Sequence, residues 1–151
     1  MNYWLLKSEP DDISIDDVKL SSTQAWFGIR NYQARNFIRD GMKIGDLAFF
    51  YHSSCKVPGV AGIVKISSDA YPDDSAFDPE SAYFDAKSTP ENPRWLQRDI
   101  EFVEKFENII PLALLKSLPS LAEMYLVSKG SRLSIQPVRA QEWQAINALV
   151  K

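Results

Sequence analysis

Residues 24–41, QAWFGIRNYQARNFIRDG, bring together side chains that can grip a flat polar ligand. Trp26 and Phe27 stand at a turn marked by Gly28, and a short helix opens at Asn31 carrying Arg35 and Arg39. An indole face can stack a base for roughly 1–3 kcal/mol. A carboxamide at Asn31 both donates and accepts, as a Watson–Crick edge requires, and the N–H groups at a helix start attract phosphate. The stretch reads as a receptor for a flat, anionic ligand, with a nucleotide as the candidate. Four further side chains sit where strands are expected to end: Lys7 and Ser8 after the first, Tyr51 and Ser53 after a later one. The two serines could hydrogen-bond a base, while Lys7 and Arg35 face its backbone. Plainer roles stay open: Trp26 as a core residue, Asn31 as a helix cap, the serines as partners of turn amides. Arg39 reads as a solvated helix charge.

Other chemistries have little to stand on. His52 and Cys55, three apart on a loop, could form a thiolate–imidazole pair, but two lone residues after a strand seldom do. One histidine and one cysteine make no metal-ligand cluster. No Walker, dinucleotide or serine-nucleophile motif occurs, so neither metal nor cofactor is expected and the chain reads as a non-enzyme. A second alternative is a protein-interaction module, with residues 69–94 as its surface. The net charge of −3 argues against non-specific coating of nucleic acid, which rests on many neutralised phosphates. A nucleic-acid partner is then held at a few points, with base chemistry supplying the rest. The single cysteine fits a reducing compartment, and the apolar start is too short for a membrane span or signal peptide, so the expectation is cytoplasmic, with no membrane partner.

The elements that must position these residues follow from spacing. At 151 residues the chain is expected to form one domain. Residues 3–7 read as a strand, and Ser14 with Asp17 caps a helix over 15–20. In the next helix Ala34, Phe37 and Ile38 face the core, with Gly41 as its left-handed terminus. The nearly continuous apolar run 47–51 suits a central strand, and 60–66 a neighbour whose Gly62 permits close backbone approach. Residues 69–94, with four prolines, form a long surface excursion anchored by Tyr71, Phe77, Tyr83 and Phe84. Residues 95–106 alternate as a half-buried strand, and Pro111 starts a helix in its first turn, with a further helical piece over 121–124. Short strands are expected at 125–127 and 133–137, separated by a turn at 129–132. A closing helix from about Ala140 buries Trp143, Ile146 and Leu149. Strands and helices intermix without a βαβ rhythm, so the class is α+β with a curled, partly closed sheet flanked by helices.

Several strings resemble one family. They are Tyr3-Trp4-Leu5-Leu6-Lys7-Ser8-Glu9-Pro10, Trp26 with Gly28-Ile29-Arg30-Asn31-Tyr32-Gln33-Ala34-Arg35-Asn36-Phe37, and Phe49-Phe50-Tyr51-His52-Ser53. Gly59-Val60-Ala61-Gly62-Ile63, Ala70-Tyr71-Pro72-Asp73, Asn92-Pro93-Arg94-Trp95 and the run from Gly130 to Pro137 follow in order. Together they resemble EVE domains over nearly the whole chain. The resemblance implies a PUA-like open β-barrel, a mixed and strongly curved sheet flanked by helices, in a superfamily shared with the YTH domains. It further implies a reader of a modified base, methylated or hydroxymethylated cytosine foremost, in DNA or RNA. The ligand-binding set expected on this combined reading is Lys7, Ser8, Trp26, Asn31, Tyr32, Arg35, Tyr51, Ser53 and Arg132.

Overall fold

The computed structural model describes residues 1–128 and 133–150. Alternation at a period of two builds the centre. In β1 (Tyr3–Ser8) and β3 (Leu47–His52), Trp4, Leu6, Ala48 and Phe50 enter one apolar cluster while Leu5, Phe49 and Tyr51 enter another. A strand buried on both faces reads as an unbroken apolar run, which is why 47–51 looks central. β3 is indeed flanked on both sides, in the order β2-β6-β4-β3-β1-β7, with β5 (Tyr71–Pro72) paired to β6 off this path. The other strands are β2 (Thr23–Trp26), β4 (Gly59–Ile66), β6 (Leu96–Pro111) and β7 (Ile135–Val138). β1 and β3 run parallel and the remaining pairs antiparallel. The end strands β2 and β7 do not pair with each other among the described residues, so the sheet is open, a mixed α+β architecture. Register shifts at Phe50/Tyr51, Val60/Gly62 and Ile63/Val64 mark bulges, which bend strands and increase their twist. At Gly62 a Cβ would run into the Glu104 carbonyl oxygen, the close approach expected of that glycine.

Among the described residues, four α-helices pack around the sheet. α1 (Ile15–Ser21) starts with the reciprocal cap expected of Ser14 and Asp17. α2 (Tyr32–Asn36) runs into a π-helical turn, Phe37–Gly41, whose Ile38 carbonyl accepts a 2.6 Å bond from the buried Arg98 Nε. α3 is Leu112–Ser117, and Pro111 precedes it as N-cap while ending β6. In α4 (Ala140–Ala148) Trp143 stacks on Phe49 at 4.0 Å and Tyr3 at 4.5 Å.

Some local expectations differ. Gly41 lacks a positive φ, a feature of Gly28 and Gly45 instead. Its lack of a side chain serves packing, since a Cβ would meet the Trp4 ring at 2.8 Å. Residues 125–127 form a 3-10 turn rather than a strand, because Val127 N–H bonds back to Met124 and Leu126 is drawn into the core. The piece over 121–124 is a 3-10 turn at Pro119–Leu121 followed by a turn that Met124 N–H closes onto the Leu121 carbonyl. Leu149 lies beyond the end of α4 and is 38% exposed. Thr23–Trp26, to which the spacing assigns no element, is a strand pairing with β6.

Candidate nucleic-acid site

Parallel pairing of β1 and β3 in register places Lys7 beside Tyr51 and Ser8 beside His52. The chain then continues the ladder with Ser53 N–H donating to the Ser8 carbonyl at 2.9 Å, while Lys7 N–H donates to Ser134 O at 2.8 Å. The carboxyl ends of two central strands thus meet at one edge. From the other side β2 delivers Trp26 and Phe27. Between them lies a cleft of about 580 Å³, a volume in the range of small-molecule sites.

Lys7, Ser8, Trp26 and Ser53 of the expected set line this cleft together. Trp26 is only 6% exposed and meets Phe50 edge-on at 5.8 Å, so most of the indole is core. Its Nε1–H is buried without a hydrogen-bond partner among the described residues. Ser8 Oγ donates to the Ile13 carbonyl at 2.6 Å, tying down the loop that forms one rim. Lys7 faces the Tyr51 ring at 5.8 Å and has no carboxylate partner among the described residues. Burial lowers the pKa of its ammonium. Burial likewise pushes the Tyr51 phenol up to about 12, with Cys55 adding to the rise. Tyr51 is buried in the core and does not line the cleft, although its ring supports Lys7.

The other expected residues lie elsewhere. Asn31 Oδ1 accepts from Ala34 N–H at 3.0 Å, so its carboxamide caps α2. Tyr32 and Arg35 stand on a neighbouring surface, where Tyr32 stacks on Trp95 at 4.8 Å. Arg39 is exposed and pairs with Asp40. Arg132 lies outside the described residues, as does the rest of the expected turn at 129–132.

The expected ligand-binding set omits the cleft's exposed aromatic surface, although Phe27 stands in the stretch first singled out. Phe27, 39% exposed, and Tyr83, 37% exposed, both line it and meet edge-to-face at 5.7 Å. Gly28 has φ +81°, and a Cβ there would stand 2.9 Å from the Tyr83 ring, so the glycine lets the aromatic close on the backbone. Tyr83 arrives through the long excursion, bolted to the site by Asp73. That carboxylate, its side chain 1% exposed, accepts from Gly28 N–H at 2.8 Å and Arg30 Nη1 at 3.1 Å. Arg30 in turn donates twice to the Tyr83 carbonyl. The aromatics already flagged in the excursion were the available signal; their direction was not. Glu9, Asp11 and Asp12 make the opposite rim acidic.

His52 does not face the cleft. Its Nε2 accepts the Ile15 N–H at 3.1 Å, holding the start of α1. Among the described residues no cluster could hold a metal, and no helix is long and apolar enough to cross a membrane.

A family model described as EVE domain matches residues 2–149. Thymocyte nuclear protein 1 from Homo sapiens is 42% identical over 98% of this chain and 73% of its own. A crystal structure of a Pseudomonas syringae protein superposes with a TM-score of 0.95 at 54% identity, covering 99% of each chain. The human THYN1 protein in complex with 5-methylcytosine containing DNA does so at 0.94 and 41% identity, covering 100% of this chain and 98% of that one. A YTH domain from Zygosaccharomyces rouxii, solved with N6-methyladenosine RNA, shares the fold at a TM-score of 0.55, 13% identity, 99% of this chain and 86% of its own. With a family match over nearly every residue and relatives this similar along the whole length, the chain belongs to the EVE domain family.

Proposed function

We propose that this protein is a non-catalytic reader that takes one modified nucleobase of DNA or RNA, extrahelical or single-stranded, into the cleft beside Trp26. The methylated or hydroxymethylated cytosine class is the preferred ligand. The observation that carries the reading is the cleft itself, where Lys7, Ser8 and Ser53 from two strand ends oppose Trp26, Phe27 and Tyr83. The likeness to a protein solved with 5-methylcytosine containing DNA supports the choice of base. In the same reading the bulged, open sheet corresponds to a PUA-like open barrel, and the protein works in the cytoplasm.

A base leaving a duplex stack costs a few kcal/mol, less from a single strand, and one stacking contact of roughly 1–3 kcal/mol only offsets that. Phe27 and Tyr83 supply exposed aromatic area, and the unpartnered Trp26 indole N–H offers a donor to a base acceptor. Burying one methyl yields about 0.8 kcal/mol, roughly fourfold. Stronger discrimination needs polar groups left unpaired by the wrong base, a role for Ser8, Ser53 and the backbone between them.

An enzyme built on His52 and Cys55 fits less well. The imidazole's acceptor nitrogen is occupied by the Ile15 N–H, leaving it no lone pair to take a thiol proton. Titrating intrinsic fluorescence with oligonucleotides that differ only in one 5-methylcytosine tests the proposal. Tighter binding of the methylated strand, weakened by Trp26→Phe, is expected. Equal affinity for both strands would overturn it, and a protein pull-down that survives nuclease treatment would favour an interaction module.

A further inference from the structure

Next to the cleft, aromatic rings and guanidinium groups stack in a continuous row. Arg30 lies 5.5 Å from the Tyr83 ring and 5.4 Å from the Trp95 ring. Trp95 stacks on Tyr32 at 4.8 Å with an interplanar angle of 29°, and Arg35 caps Tyr32 at 4.9 Å. Arg94 Nη1 donates to the Tyr32 hydroxyl at 3.4 Å, and Arg35 Nη1 to the Arg94 carbonyl at 3.0 Å. The outer ring is open to solvent, Tyr32 being 51% exposed.

The two outer arginines on this face, Arg35 and Arg94, lack a direct ion-pair partner among the described residues. The acids within electrostatic reach, Asp85 of Arg94 and Asp40 of Arg35, offset part of that charge from a distance while their direct contacts go to other groups. Asp73 is buried against Arg30, Asp40 pairs with Arg39, and Asp85 accepts from Trp95 Nε1 at 2.7 Å and Lys87 N–H at 3.0 Å. On a chain with net charge −3, two arginines with spare donors around an exposed tyrosine form a local basic patch. Basic groups interleaved with stacking rings are the chemistry by which proteins hold single strands without reading sequence.

We infer that Tyr32, Arg35 and Arg94 form a second binding site, a track for the single strand that flanks the base in the cleft. Arg35 and Arg94 contact phosphates, Tyr32 stacks a neighbouring base, and Tyr83 with Arg30 joins track to cleft. The inference rests on the reading of the cleft as a base pocket, but its main measurement does not depend on base identity.

The test compares the full chain with an Arg35→Gln/Arg94→Gln double variant by fluorescence anisotropy, using a plain thymidine strand and a strand carrying one 5-methylcytosine. Free 5-methyl-2′-deoxycytidine is titrated alongside. Losing two phosphate contacts lowers the log–log salt slope by about 1.4, at about 0.7 per single-strand phosphate. Affinity for both strands is expected to fall about tenfold, with the nucleoside unaffected. Tyr32→Leu, which keeps both charges, lowers strand affinity with the slope unchanged, and guards against a double variant that fails to fold. Unaltered slope and affinity, or a wild-type chain that ignores the thymidine strand at low salt, would overturn the track. So would preferential binding of an acidic peptide on this face, lost in the double variant. A wild-type chain that binds both strands with the expected slope yet fails to prefer the methylated one would leave the track standing and remove the base-pocket reading.

Discussion

Replacing Asp73 by alanine tests how the excursion is held against the cleft. The carboxylate accepts four hydrogen bonds, from Gly28 N–H, Arg30 Nη1, Ser75 N–H and Ser75 Oγ. Removing one partner of a fully buried ion pair costs about 3–5 kcal/mol. Arg30 is partly exposed and keeps the Tyr83 and Ile29 carbonyls as acceptors, so the lower end, about 3 kcal/mol, applies. For a chain of this size that lowers Tm by about 6–12 °C. Burial raises the Asp73 pKa, but bonds from Ser75, Gly28 and Arg30 outweigh it and hold the carboxyl below the usual range. With the folded value below the unfolded one of about 3.9, the contribution is present above that pH and disappears as pH falls through the folded value. Melting curves of wild type and Asp73→Ala should therefore differ at neutral pH and converge in acid. Amide exchange should quicken across residues 73–95. A variant that melts within about 2 °C of wild type at neutral pH, with unchanged exchange there, would refute the account of Asp73 as the bolt.

Three further outcomes follow from the same packing. Phe27→Ala removes an exposed ring and should weaken binding of a methylated oligonucleotide about tenfold, within the 1–3 kcal/mol of a stacked base, while leaving Tm nearly unchanged; unaltered affinity in a titration would exclude Phe27 as a stacking wall. Gly62→Ala puts a Cβ against the Glu104 carbonyl and should cost about 2–3 kcal/mol in urea unfolding, so a neutral result would mean that the β4–β6 approach is not as close as described. Burial holds the His52 pKa below its usual value, against the pull of Asp16 and with that of Lys105. Stability should therefore fall as pH drops below about 6.5, by at most about 1.4 kcal/mol per unit from this group, and His52→Gln should flatten that slope; identical pH profiles for the two proteins would contradict it.

Much of the framework was legible because it depends on short spacings. Ser14 and Asp17 announce a cap whose two bonds close within three residues. Leu5-Leu6, Phe49-Phe50 and Val60-Ala61 lie in unbroken apolar runs, so burial on two faces could be read directly, while which residue faces which cluster could not. Where local and distant contacts compete, the spacing misleads. Tyr125-Leu126-Val127 has strand-forming residues, yet turns because Leu126 is pulled into the cluster containing Trp143. Asn31 suits both a cap and a base edge, and the Ala34 N–H takes it for the cap.

The sequence alone determined the family, the strands that end near Lys7-Ser8 and at Tyr51, and the weight of the Trp26-Phe27-Gly28 turn. Those properties live in motifs and periodicities only a few residues long. That His52 still belongs to β3 came from the structure. The tertiary structure decided which of these residues share a cleft. Parallel register brought Ser8 to Ser53, and a buried carboxylate at Asp73 carried Tyr83 across to Gly28. The separation of Tyr32 and Arg35 from the cleft, onto a surface of their own, was decided in the same way, by stacking on a tryptophan sixty-odd residues further along the chain. Contacts between residues so far apart in sequence depend on strand register and on a few buried hydrogen bonds, and neither leaves a periodic trace in the sequence.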